Sequence, residues 1–224
     1  MSKKNKNRKM VREINSNRIL MEKNKIYSLS EFNKSIYGEK VKRYDGIYLR
    51  EWEPRRSKLG AAILKGFSEI PFNDHTNVLY LGASTGTTVS HVSDICYRGN
   101  VFAVELSYDS FVKLYSLSEY RNNIYPLLED ANMPERYSFF IEKPDIIYQD
   151  IAQRNQIQIF NENADYFKCA KKAILILKAR AISSSKNEKN ILNTAIKGIH
   201  GFNIRKIIDL KPYDIGNYFI YMDR

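Results

Sequence analysis

The segment that most constrains this chain is Asn77-Val-Leu-Tyr-Leu-Gly-Ala-Ser-Thr-Gly-Thr-Thr-Val-Ser90. Four apolar residues, Val78 to Leu81, run without alternation into Gly82. Such a run suits a strand covered on both faces, as in a parallel sheet with helices above and below it. A small-residue loop then reaches Gly86, after which Thr87, Thr88, Val89, Val92 and Ile95 continue at helical spacing. The glycines permit a tight turn and a close ligand approach to the backbone, and the helix start presents unpaired N–H groups. This strand-loop-helix is of the kind that opens a nucleotide-binding fold.

A second apolar strand, Val101 to Glu105, ends in a carboxylate nineteen residues beyond Gly86. That is where a Rossmann-like fold places the group that accepts ribose hydroxyls. The glycine spacing is Gly-x-x-x-Gly, not the Gly-x-Gly-x-x-Gly of dinucleotide enzymes, which weighs against a dehydrogenase. It favours S-adenosylmethionine, which has no pyrophosphate to seat. Strands and helices alternate from there: strand 101 to 105, helix 108 to 119, strands 123 to 128 and 145 to 149, helix 155 to 167, strand 172 to 178. A helix at 191 to 199 follows, then the β-rich runs 202 to 210 and 218 to 222, which a turn at Gly216 joins as an antiparallel hairpin. The pattern predicts an α/β, Rossmann-like fold with a mostly parallel seven-stranded sheet.

The first quarter of the chain differs. Residues 1 to 58 hold 17 Lys or Arg against 7 acids, whereas residues 59 to 224 hold 19 against 18. A basic field of this kind favours phosphate backbones, with salt-dependent affinity. Residues 1 to 12 carry six basic residues and no acid, and are expected to form a mobile arm. Residues 13 to 53 read as a small antiparallel β-domain whose strongest signal is Asp45-Gly46 between two β-runs. From Pro54 onwards, through residue 224, the methyl-donor domain is expected, opening with a helix over 55 to 67 that exposes Arg55 and Arg56 as RNA contacts.

Two Cys and three His, none at metal-ligand spacing, argue against a metal and for reduced thiols packed as small hydrophobes. No apolar run approaches the length of a membrane span, and the basic, polar start does not read as a secretory signal, so a cytoplasmic protein is expected.

Ligands of an open α/β sheet sit outside the carboxyl ends of its strands. The polar residues there are Glu105, Asp130, Asp150 and Lys178. Asp130, with the backbone N–H of Ala131, suits an adenine ring, although a helix or turn cap is the more common use of an Asp taken alone. Ionisable residues that end apolar strands are seldom left unpaired, so Asp150 and Lys178 form either a structural ion pair or, with Lys58, a reactive cluster. A ribose hydroxyl attacks poorly until its proton is taken, and a lysine beside a second cation, fixed by a carboxylate, can take it. Helix residues Phe111, Leu114 and Tyr115 are candidates for a partner-docking face, with burial in the sheet's own core as the competing expectation.

Tyr80-Leu-Gly-Ala-Ser-Thr-Gly-Thr-Thr-Val-Ser-His-Val-Ser-Asp94 closely resembles the fibrillarin signature. So do Ala103-Val-Glu105, Asn123-Ile-Tyr-Pro126 with Glu129-Asp-Ala131, Asp150-Ile-Ala-Gln153 and Arg56-Ser-Lys-Leu59. The resemblance implies an archaeal-type enzyme, without a Gly/Arg-rich domain, that methylates ribose 2′-hydroxyls of ribosomal and possibly transfer RNA from S-adenosylmethionine. It also implies a box C/D ribonucleoprotein containing guide RNA, target RNA, a Nop-domain scaffold protein and, indirectly, a kink-turn-binding protein. By resemblance Lys58, Asp150 and Lys178 are catalytic. Gly82, Ala83, Gly86, Thr87, Thr88, Glu105, Leu106, Asp130, Ala131, Asp150 and Gln153 surround the donor. One position departs: where the family has histidine after Pro-Tyr-x-x-x, this chain has Asn217, which hydrogen-bonds but cannot titrate near neutrality. A structural subunit with weakened catalysis is therefore the alternative.

Overall fold

The computed structural model describes residues 12–13, 18–183 and 187–224, so the expected arm falls, except for Arg12, outside the described residues. Five strands form the first sheet: β1 (Arg12–Glu13), β2 (Ile19–Glu22), β3 (Lys25–Ser30), β4 (Val41–Tyr44) and β5 (Ile47–Trp52). They pair antiparallel in the order β1-β2-β3-β5-β4. The Asp45-Gly46 hairpin forms as expected, with left-handed φ of 48° and 90° at its two turn residues. That geometry matches the twist of the flanking strands.

The second sheet holds β6 (Val78–Leu81), β7 (Val101–Glu105), β8 (Ile124–Leu128), β9 (Ile146–Gln149), β10 (Lys172–Lys178), β11 (Asn203–Asp209) and β12 (Asn217–Asp223). Its order is β11-β12-β10-β9-β6-β7-β8, with β12 antiparallel to both neighbours and the rest parallel. Successive strand residues point to opposite faces, so each apolar run feeds two cores. Val78, Tyr80, Tyr148, Ile174 and Ile176 join one, under α1 (Lys58–Leu64), α2 (Thr87–Ile95) and α3 (Tyr108–Ser118). Leu79, Leu81, Ile147, Leu175 and Leu177 join the other, under α4 (Gln156–Tyr166), α5 (Ala179–Ile182) and α6 (Glu188–Gly198). Strand order reverses at β6, which places a crevice beyond the carboxyl ends of β6, β7 and β9.

Ile19, Ile26 and Trp52 of the small sheet belong to the same apolar cluster as α1 and α2. Between them lies a buried ionic network. Arg50 bonds Glu39 at 2.9 and 2.7 Å and Asp94 at 2.6 Å, and Arg121 reaches the other Asp94 oxygen at 2.6 Å. Burial opposes every one of these charges. For Asp94 the two guanidinium groups outweigh it and hold the carboxyl below its usual range, and for Arg50 the two carboxylates outweigh it and raise the guanidinium. His91, fully buried and stacked on Trp52 at 4.5 Å, is pushed well below its ordinary value by burial and then by the two arginines. Ser28 donates its one hydroxyl hydrogen to Asp94 at 2.7 Å. A neutral His91 therefore carries its proton on Nδ1, 2.7 Å from Ser28, and accepts from Tyr37 at Nε2 over 2.7 Å.

Several expectations are corrected. The helix expected over 55 to 67 begins only at Lys58, because Ser57 caps it by accepting from Gly60 N–H. It stops at Leu64, and Gly66 then turns the chain at φ 93°. Phe111 and Tyr115 are not sheet core: Leu114 and Leu117 alone are buried on α3, while Tyr115 is 54% exposed. Only Cys96 is packed inside, and Cys169 is exposed. Two single 3-10 turns, Pro134–Arg136 and Ser138–Phe140, and the short α5 lack a periodicity long enough to read in advance.

Candidate functional site

The loop after β6 is held by left-handed backbone at Gly82 (φ 80°), Ser84 (φ 51°) and Gly86 (φ 86°). A Cβ on Gly82 would stand 2.7 Å from the Asp150 carbonyl oxygen, and one on Gly86 would stand 2.6 Å from Leu117. The glycines are thus required by φ and by packing against the end of β9 and against α3. The raised loop aims the Ser84 N–H at Glu105 Oε2, 2.7 Å away, while Ser107 N–H meets Oε1 at 2.8 Å. Both carboxylate oxygens of Glu105 are therefore oriented before any ligand arrives.

A cleft of about 430 Å³ opens beside this loop. Gly82, Glu105, Leu106, Asp130, Ala131, Asp150, Gln153 and Lys178 are among the residues that line it. Ala83, Gly86, Thr87 and Thr88 are not in that lining. Ala83 and Gly86 are buried in packing, and the Thr88 hydroxyl donates to Ser57 at 3.0 Å, which braces α1. Thr87 faces a neighbouring groove. Asp130 serves two purposes: Oδ1 accepts from Asn132 N–H and Nδ2, at 2.9 and 2.8 Å, in a local turn, while the residue also lines the cleft. Asn132 further donates to Gln153 Oε1 at 3.1 Å, tying the two sides of the cleft together.

Lys58, Asp150 and Lys178 meet at the end of the cleft. Lys58 Nζ lies 3.2 Å from Asp150 Oδ2, and Lys178 Nζ lies 2.8 Å from Oδ1. Lys178 also donates to the Asp150 carbonyl at 3.0 Å. Side-chain exposures of 24%, 11% and 19% leave the three groups reachable from solvent but mostly enclosed. Beneath them Tyr80 and Tyr148 stack at 4.4 Å, their phenols raised well above the ordinary value by burial foremost and by the nearby Asp150 charge. These rings form a neutral floor. Arg55 and Arg56 are exposed on the turn just before α1.

Two members of the site escape sequence reasoning. Asp214 lies 3.8 Å from Lys58, brought by the loop between β11 and β12. Gln156, fully buried at the start of α4, accepts from Lys178 N–H at 2.9 Å and donates to the Lys178 and Gln153 carbonyls at 3.2 and 2.9 Å. Its amide continues the hydrogen-bond ladder where β9 ends and joins the Asp150–Gln153 loop to Lys178. The one available signal is a glutamine on a helical face that is apolar except for it and Asn163. Asn217 pairs across the sheet with Lys178, so the departing position does adjoin the cluster.

The fibrillarin family model matches residues 6–224. The chain is 66% identical over 208 residues to the fibrillarin-like rRNA/tRNA 2'-O-methyltransferase of Picrophilus torridus, spanning 93% of this chain and 98% of that one. Among solved structures it resembles fibrillarin in the fibrillarin/Nop5p complex, with 43% identity, a TM-score of 0.86 and coverage of 93% and 98%. It also resembles Aeropyrum pernix fibrillarin with natively bound S-adenosyl-L-methionine, with 34% identity, a TM-score of 0.79 and coverage of 91% and 92%.

Proposed function

The chain belongs to the fibrillarin family, and on that premise we propose that it is the catalytic subunit of a guide-RNA-directed box C/D ribonucleoprotein. It is an RNA 2′-O-methyltransferase that uses S-adenosylmethionine and acts on ribosomal RNA and, as its relatives' names suggest, transfer RNA. The Nop-domain protein seen with its structural relative is the scaffold partner, and a kink-turn-binding protein completes the particle indirectly.

The cleft fits the donor. Among the described residues, Glu105, Glu129, Asp130 and Asp150 line it with only Lys178 as a cation, a balance that suits a positively charged sulfonium. Glu105 would accept the ribose hydroxyls, with Asp130, Ala131 and Leu106 around the adenine and Gln153 beside it. When bound, the donor supplies an electrophilic methyl group on sulfur.

The protein's own work is alignment and proton removal. Lys58 is compensated by two carboxylates, Asp150 and Asp214, whereas Lys178 faces Asp150 and a backbone carbonyl. Lys178 is therefore assigned as the group that, after releasing its own proton to solvent, would take the 2′-hydroxyl proton as the methyl group leaves sulfur for oxygen. Asp150 holds both amines in place, and Lys58 positions the acceptor ribose. Reactant charge is already present, so holding the partners in line contributes more than stabilising new charge.

The observation that carries this reading is the convergence of Lys58, Asp150 and Lys178 at a carboxylate-lined cleft. Lys178→Ala in the reconstituted particle tests it: methylation should be lost while assembly and donor binding persist. Unchanged methylation would remove Lys178 as the base. The alternative, a particle subunit with weakened catalysis, draws on Asn217 beside Lys178 and predicts that Asn217→His restores an undetectable activity to normal.

A further inference from the structure

The loop from Gly82 to Thr87 has a second side. A groove of about 500 Å³ lies there, between the small sheet and α3, lined by Lys34, Tyr37, Arg56, Thr87, Lys113 and Tyr120 among others. Its charge is the reverse of the donor cleft's: among the described residues, three cations and no carboxylate line it, against four carboxylates and one lysine across the loop. The Lys34 ammonium sits 3.2 Å over the Tyr120 ring and the Arg56 guanidinium 5.2 Å over Tyr37, so two of the three cations are held along the groove by its own aromatics.

The wall from the small sheet is built rather than draped. Glu39 folds back to accept from Ile36 N–H at 3.0 Å, Tyr37 N–H at 2.9 Å and Ser35 Oγ at 3.0 Å. Arg50 in turn holds Glu39, with neither side chain exposed. The Tyr37 hydroxyl is pinned to His91 at 2.7 Å. The buried network thus sets the loop that carries Lys34 and Tyr37 against α3.

We propose that this groove seats the sugar-phosphate backbone of the acceptor RNA next to the methylated nucleotide, so that the glycine loop divides a cationic donor from a polyanionic acceptor. This inference rests on the reading of the protein as an RNA methyltransferase. Opposite potentials on the two sides of one loop keep each ligand out of the other's seat. Contacts of this type position RNA without reading its sequence, as a guided enzyme requires.

The test uses the reconstituted particle and a target oligoribonucleotide complementary to its guide. In the Lys34→Gln/Lys113→Gln double variant, KM for the target should rise on the order of tenfold, with kcat and calorimetric S-adenosylmethionine affinity unchanged. The slope of log KM against log salt should become shallower by about 1.4, because the variant removes two cations and each phosphate contact on a single strand contributes about 0.7. The Lys34→Arg/Lys113→Arg variant should keep both values, which separates lost charge from a misfolded loop. Unaltered KM and slope in the Gln variant would overturn the proposal. So would loss of scaffold association with target KM intact, because the groove would then belong to a protein partner. A wild-type particle that binds the donor yet leaves the ribose unmethylated would instead defeat the enzymatic reading, and shows itself before any variant is made.

Discussion

Two clusters of alternating charge flank α1 and α2, and they are built to opposite ends. Glu39, Arg50, Asp94 and Arg121 lie between the two sheets with almost no exposed side-chain surface, two acids against two bases. Their directional bonds leave few alternative arrangements. Lys58, Asp150 and Lys178 sit at strand and helix ends, where 11–24% of each side chain reaches solvent, with Asp214 at longer range. An ion pair sealed from water is costly to break and does no chemistry, because no substrate can reach it. One left partly open contributes little to stability and can exchange a proton. The difference separates a joint from a site, although both are Lys or Arg with Asp or Glu on the page of the sequence.

The sharpest way to break the comparison is to exchange the readouts. Lys178→Ala should lower the methylation rate by about 10²–10⁴-fold while changing unfolding free energy by less than about 1 kcal/mol. Arg50→Met should do the reverse. It strands Glu39 and half of Asp94 without a cation, and chemical denaturation should register a loss of about 3–5 kcal/mol. If Arg50→Met leaves stability intact, the network is not the joint described here.

Gln156→Leu lies between the two cases, because the residue is structural but touches the site. It leaves Lys178 N–H without its acceptor, and unfolding experiments should show a cost of about 1–3 kcal/mol. The methylation rate should fall by more than S-adenosylmethionine affinity does. A rate unaffected by the loss would mean that Lys178 is held by Asp150 alone.

Acid should weaken the joint in two stages. His91 is neutral in the fold and its value is lowered, so the unfolded chain binds a proton that the folded chain refuses; stability falls as pH drops below about 6.5. Asp94 and Glu39 are also lowered, but as acids their stabilisation is full above the unfolded carboxylate range and is lost as pH falls through their folded values. Thermal midpoints across pH should show both stages in the wild type, and His91→Gln should erase the upper one. The smallest effect expected is that of Asn217→His, which should leave methylation present in both forms and add a limb near pH 6.5 to the pH–rate profile. An activity that appears only with histidine would reverse that assignment.

Much of this architecture was legible in the chain itself. Continuous apolar runs at Val78–Leu81, Val101–Val104 and Ala173–Leu177 announce strands covered on both faces, and Asp45-Gly46 announces its hairpin, because backbone preference and hydrophobic period are local properties. Lys58, Asp150 and Lys178 stood out for a similar reason: a charge at the end of an apolar strand or the start of a helix needs a partner or a purpose. What the local pattern does not contain is distance across the sheet. Arg50 finds Asp94 44 residues away, Gln156 reaches Lys178 22 residues away, and Asp214 approaches Lys58 from the last hairpin. The local pattern also does not contain the Thr88 hydroxyl's bond to Ser57, since which way a loop hydroxyl turns depends on what packs behind it. The residues determined the strands, the glycine turn and the candidate charges. Only the order in which the strands pair, set by burying both faces of one sheet at once, decided which charges became a joint and which a site.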